Sequence, residues 1–223
     1  MSTVAKNIEQ IKQTLPSGVR LVAVSKFHPV EVIQEAYDTG QRIFGESKVQ
    51  ELIAKEGALP KDIEWHFIGH LQTNKVKLIV PFISMIHSAD SSKLLQEINK
   101  AAGGIGRVVP CLLQIHIARE ESKFGFSFEE CREYLRSGVW RQLANVRLCG
   151  VMGMATFTDD CEQIKSEFLT LRNFFDEIKK LYFSEDNSFC EISMGMSDDY
   201  PLAIEQGSTL VRIGSRIFGE RVY

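Results

Sequence analysis

The chain has 223 residues, 44% hydrophobic and 25% charged, ordinary globular values that support a buried core. A formal net charge of -3 and the lack of any long basic block argue against a nucleic-acid surface, and no apolar run is long enough to span a bilayer. Five dispersed cysteines (Cys111, Cys131, Cys149, Cys161, Cys190) form no C-x-x-C pair and read as reduced thiols in a cytosol-like compartment.

At the N-terminus, Val4, Ile8, Ile11 and Leu15 share one helical face, and the polar residues between them rule out a signal-type apolar core. The first strand is expected over 20–26, and a helix over 29–37 opens with Pro29 and stops before Gly40. A second strand, 42–46, precedes a helix over 47–55 that starts with the capping pattern Ser47-x-x-Gln50 and stops at Gly57. The third strand, 65–69, holds His66 as a packed or pocket-lining residue. Neither His66 nor His70 has acidic or cysteine neighbours at ligand spacing, so no metal site is expected. Strand 85–88 leads to a helix over 91–102 that ends in Gly103-Gly104, and strand 111–117 to a helix over 127–136 with the box Ser127-x-x-Glu130. Strand 147–154 is followed by the longest helix, 160–182, with Ile164, Phe168, Leu171, Phe175, Ile178 and Tyr182 on one core-packing face. Strands over 191–196 and 209–215 enclose a last helix that leads to Gly207.

Eight strand–helix alternations imply parallel βαβ units, closed as a barrel or left as an open doubly wound sheet. No G-x-G-x-x-G follows the first strand, which removes the main support for a dinucleotide-binding sheet. The expected fold is α/β, a single-domain (β/α)8 barrel over residues 1–223 with an extra N-terminal helix.

Lys26 closes the first strand, at the mouth of the sheet. An amine made nucleophilic by desolvation forms Schiff bases with carbonyl compounds, pyridoxal phosphate among them; the bland alternative is a lysine that snorkels to solvent. In such barrels phosphate often sits on the loops after strands 7 and 8. There, Ser197 is placed as a helix N-cap able to receive an anion, Gly214 lets backbone N–H groups approach an oxyanion, and Ser215 adds a hydroxyl. Taken singly, Ser197 reads as a cap and Gly214 as a tight strand exit. Barrel closure sets strand 8 beside strand 1, so a ligand with phosphate at one end and an aldehyde at the other would bridge the cradle and Lys26. Arg212, in the same layer, needs an acceptor such as a carboxylate, a phosphate or a pyridine nitrogen.

Six segments, VSKFHP (24–29), FGESKVQE (44–51), WHFIGHLQTNK (65–75), EESKFG (120–125), SMGMSDD (193–199) and VRIGSRIFGER (211–221), resemble the pyridoxal phosphate homeostasis proteins in order and along the whole chain. These are fold-type III barrels related to the N-terminal domain of alanine racemase. The resemblance implies that Lys26 holds pyridoxal 5′-phosphate as an internal aldimine, that Ser197, Gly214 and Ser215 hold the phosphate, and that Arg212 faces the pyridine nitrogen. One departure is Ser47, where the family usually has Asn; any contact of that carboxamide is replaced by a shorter hydroxyl.

A cation beside the pyridine nitrogen disfavours its protonation and weakens the ring as an electron sink. Racemases of this fold type recruit catalytic groups from a second domain, and the sequence ends at Tyr223, just past the last strand. The expectation is a cofactor carrier without efficient turnover and with no catalytic residue. It buffers pyridoxal phosphate and hands it to apo-enzymes, as a cytoplasmic monomer (a mitochondrial location stays open, without a clear targeting segment). The alternatives are an amino-acid racemase or lyase using the same lysine, and an aldolase-like barrel.

Overall fold

The computed structural model describes residues 2–119 and 124–219. Its strands are β1 (Arg20–Val24), β2 (Ile43–Glu46), β3 (Glu64–Phe67), β4 (Met85–Ala89), β5 (Val109–Gln114), β6 (Val146–Met152), β7 (Glu191–Ser193) and β8 (Leu210–Ile213). They pair in parallel and in sequence order, and β1 pairs with β8 to close the barrel. The helices are α1 (Thr3–Thr14), α2 (Val30–Asp38), α3 (Val49–Ala58), α4 (Val76–Ile79), α5 (Ser92–Gly103), α6 (Phe128–Ser137), α7 (Cys161–Tyr182), α8 (Tyr200–Glu205) and α9 (Ser215–Phe218). Among the described residues no helix is long and apolar enough to cross a membrane.

Alternation along each strand produces two cores. Val22, Met85, Leu112, Cys149, Met152 and Leu210 fill the barrel interior. Their outward-facing neighbours, such as Ala23, Phe44 and Val211, join the larger cluster under the helices. The face expected of α1 is the buried one: Val4, Ile8 and Ile11 point into that cluster. Among the described residues the four-residue α9 is the helix that follows β8, and α1 packs against it. Asn7 Nδ2 donates to Ile217 O at 3.0 Å, which ties the two ends of the chain together. The stripe on α7 is likewise core, with Ile164, Phe168, Leu171, Phe175 and Ile178 buried.

All eight expected strands are present, but several stop before their expected C-terminal ends: β1 at Val24, β5 at Gln114, β7 at Ser193 and β8 at Ile213. The residues beyond have strand-like side chains but leave the ladder to form the loops at the barrel mouth. Two capping expectations are corrected. The Ser127–Glu130 box forms, whereas α3 begins after Lys48 with no side-chain cap, so the Ser47–Gln50 box does not. Ser47 is held elsewhere: its backbone presses on Gly69, where an added Cβ would come within 2.4 Å of Ser47 O. Nor does Gly57 stop α3, which runs on to Ala58.

Candidate functional site

The C-terminal ends of the strands open into a cavity of about 840 Å³, and Lys26, Ser197, Arg212, Gly214 and Ser215 all line it. Val22, inside the barrel, and Val24, on the cavity wall, set the inward parity on which Lys26 follows. Lys26 is half-buried at the mouth, not extended into open solvent.

Arg212 is 4% exposed, and no described carboxylate forms an ion pair with it. Its Nη1 donates to Ser193 Oγ at 2.6 Å and its Nη2 to Gly153 O at 3.0 Å. Both acceptors are neutral. Burial pushes its pKa down to about 10, with Asp199 acting the other way, so it stays charged at neutral pH. Behind it a hydrogen-bonded chain crosses the barrel interior. Ser193 Oγ lies 2.9 Å from His87 Nδ1, and His87 Nε2 lies 2.8 Å from His66 Nδ1. In the tautomer in which Ser193 Oγ accepts from Arg212 and donates its own hydrogen to His87 Nδ1, the chain runs in one direction. His87 then donates from Nε2 to His66. Burial keeps both rings neutral: it lowers His66 to about 3 and His87 well below its ordinary value, the latter helped by the charge of Arg212.

Ser197 is in the cavity, as expected, but not as a helix cap. The helix starts at Tyr200 with Asp199 at the N-cap position, because Asp199 Oδ1 accepts from Met196 N and folds residues 196–199 into a turn. Ser197 Oγ instead accepts from Gly214 N at 3.3 Å and joins the loops after β7 and β8. A side chain at 214 would crowd β1: an added Cβ would meet Val24 O at 3.0 Å and the Val24 Cβ at 3.3 Å, so that backbone would have to give by a few tenths of an ångström. The exit of β8 is thereby pressed on the end of β1. Ser215 opens α9 and is exposed at the rim.

Sequence reasoning missed a second wall. His70 Nδ1 lies 2.8 Å from Asp90 Oδ2, and the His70 ring stacks on Phe124 with centroids 4.0 Å apart. His70 and Phe124 both line the cavity, as does Ser47. Twenty residues separate His70 from Asp90, but β3 and β4 are neighbours, so the loops after them meet. The signal was the strand order. Of the EESKFG segment, Glu120, Glu121, Ser122 and Lys123 lie outside the described residues, as do Glu220 and Arg221 of VRIGSRIFGER.

The family model for the alanine racemase N-terminal domain matches residues 1–222. The pyridoxal phosphate homeostasis protein of Aquifex aeolicus is 37% identical, over 100% of this chain and 97% of its own. That of Homo sapiens is 40% identical, over 92% of this chain and 77% of its own. The chain belongs to the pyridoxal phosphate homeostasis protein family. Among solved structures, PipY of Synechococcus elongatus with PLP bound superimposes with a TM-score of 0.87 at 36% identity, over 97% of this chain and 100% of that one.

Proposed function

We propose that this chain binds pyridoxal 5′-phosphate and takes part in its homeostasis, through a single barrel domain over residues 1–223, with no efficient turnover of its own. The observation that carries this reading is the convergence, in one cavity, of an amine, an arginine that pairs with no carboxylate among the described residues, and a hydroxyl–amide cluster. Those groups fit the cofactor. A buried guanidinium satisfied only by neutral acceptors favours a ligand that brings a lone pair or negative charge. The Ser197 and Ser215 hydroxyls supply donors for a phosphate, and the Gly214 amide, which donates to Ser197 Oγ in this structure, lies beside them. Lys26, on the adjacent strand end, is the amine that receives the aldehyde.

When bound, the cofactor supplies an aldehyde that condenses reversibly with amines and, on a protonated ring, an electron sink. Arg212 works against the second property, since a fixed cation near the ring nitrogen disfavours its protonation. The residues therefore suit holding rather than turnover. Apo-enzymes that need the cofactor are the recipients under this reading, and the carrier is a cytoplasmic monomer. The names of the curated relatives, homeostasis proteins, support the role in pyridoxal phosphate homeostasis.

The test is reconstitution with pyridoxal phosphate, borohydride reduction and peptide mapping. A yellow protein with a visible absorption band and an adduct on Lys26 is expected, and Lys26→Ala should lose the band while the barrel stays folded. A colourless protein, or an adduct on another lysine, would defeat the reading.

A further inference from the structure

FGESKVQE includes two acidic residues, Glu46 and Glu51, that do not line the cavity. Both converge on Lys55 of α3, which is 4% exposed. Lys55 Nζ donates to Ser25 O at 2.7 Å, to Glu46 Oε1 at 2.7 Å and to Glu51 Oε1 at 2.6 Å. An ammonium has three N–H donors, and all are used. Glu46 Oε1 also accepts from Ser25 Oγ at 2.6 Å, and Glu51 Oε1 from the Phe27 amide at 2.6 Å.

Ser25 and Phe27 flank Lys26. The carbonyl of Ser25 belongs to the peptide plane before the Lys26 Cα, and the amide of Phe27 to the plane after it. One ionic bracket pins both planes, and this fixes the direction of the Lys26 Cα–Cβ bond. The bracket also holds strain. Phe27 has φ +68°, the only non-glycine in the left-handed region among the described residues. A bulky side chain keeps that conformation only when its surroundings enforce it. A buried ion pair is weak evidence of stability in itself, and Glu46 Oε2 is buried without a hydrogen-bond partner. The arrangement is poor as a stabilising device and well matched to holding a backbone.

We propose that Lys55 is a positioning residue for Lys26: with Glu46 and Glu51 it clamps both flanking peptides, so that the amine meets an aldehyde already aimed. This rests on the reading of Lys26 as the cofactor-bearing amine.

The experiment separates covalent capture from ligand binding. Parent, Lys55→Met, and the double variant Glu46→Gln with Lys55→Met, which leaves no charge in the buried pair, are compared after circular dichroism has established folding. Binding of a pyridoxal phosphate analogue with a methyl group in place of the aldehyde is measured by calorimetry. The rate of borohydride-trapped pyridoxal phosphate on Lys26 is measured by mass spectrometry. Analogue affinity should stay within about twofold while trapping at Lys26 slows by about ten- to a hundredfold, as a displaced reacting group does. Trapping at the parental rate, or trapping and analogue affinity lost in proportion, would overturn the proposal. If neither variant folds, hydrogen exchange on the unsubstituted chain decides: the Phe27 amide must be protected relative to exposed loop amides, and fast exchange overturns the clamp. Failure of the parent to trap at Lys26 would sink the carrier reading instead.

Discussion

Arg212 carries its charge into the barrel on a hydroxyl and a carbonyl, Ser193 Oγ and Gly153 O, and so keeps donors for whatever occupies the cavity. Arg212→Gln removes that charge, and the expected result is a shifted absorption band with faster loss of cofactor on dialysis. An unchanged band would show that the guanidinium does not address the ring. Ser197 acts differently. Its hydroxyl joins two loops through Gly214 N, so Ser197→Ala should cost about 1 kcal/mol, the worth of one hydrogen bond, with no separate cap penalty. Release should accelerate moderately while the covalent link to Lys26 survives. If both retention and thermal midpoint are unmoved, the loop after β7 is not part of the site.

At the scale of elements, β3, β4, β7 and β8 are tied inside the barrel by His66, His87, Ser193 and Arg212. The two histidines are neutral when folded, and burial lowers His66 from 6.5 to about 3. In the unfolded chain they take up protons below about 6.5. Between those values the unfolded state binds more protons, so stability is fully present above pH 6.5 and falls as pH drops toward 3. Each histidine contributes a slope of up to about 1.4 kcal/mol per pH unit. Thermal midpoints of the parent should fall between pH 7 and pH 5, and those of His87→Gln should fall less steeply; equal slopes would contradict the neutral pair. The sequence showed His66 as a packed or pocket-lining residue and Arg212 as a charge in need of an acceptor, but not the partners that join them. The strands themselves were legible, because apolar runs such as Leu21–Val24 and Cys111–Leu113 punctuate helical patterns, and the cavity residues were, because they end strands 1, 7 and 8 of a barrel. The pairing of His66 with His87, or His70 with Asp90, depends on strand adjacency and on which face each residue occupies. Ser47 and Ser197 show the opposite failure: local capping patterns were readable, and the barrel mouth overrode them.

For the whole molecule, the question is holding versus turnover. The chain should catalyse no exchange of the Cα proton of L- or D-alanine in deuterated water above that of Lys26→Ala. Exchange at about 1 per second or faster, an ordinary enzymatic rate, would promote the racemase alternative.

The pairing of β1 with β8 sets Val22 beside Arg212 across nearly the full length of the sequence. Of the strand pairings this one spans the longest stretch of chain, so its closure carries the largest loop entropy. A chain stalled at seven strands would present the Lys26 amine with no anion donors beside it. Cofactor uptake then counts finished barrels, and the ligand, by binding only the closed form, draws late folding species toward it.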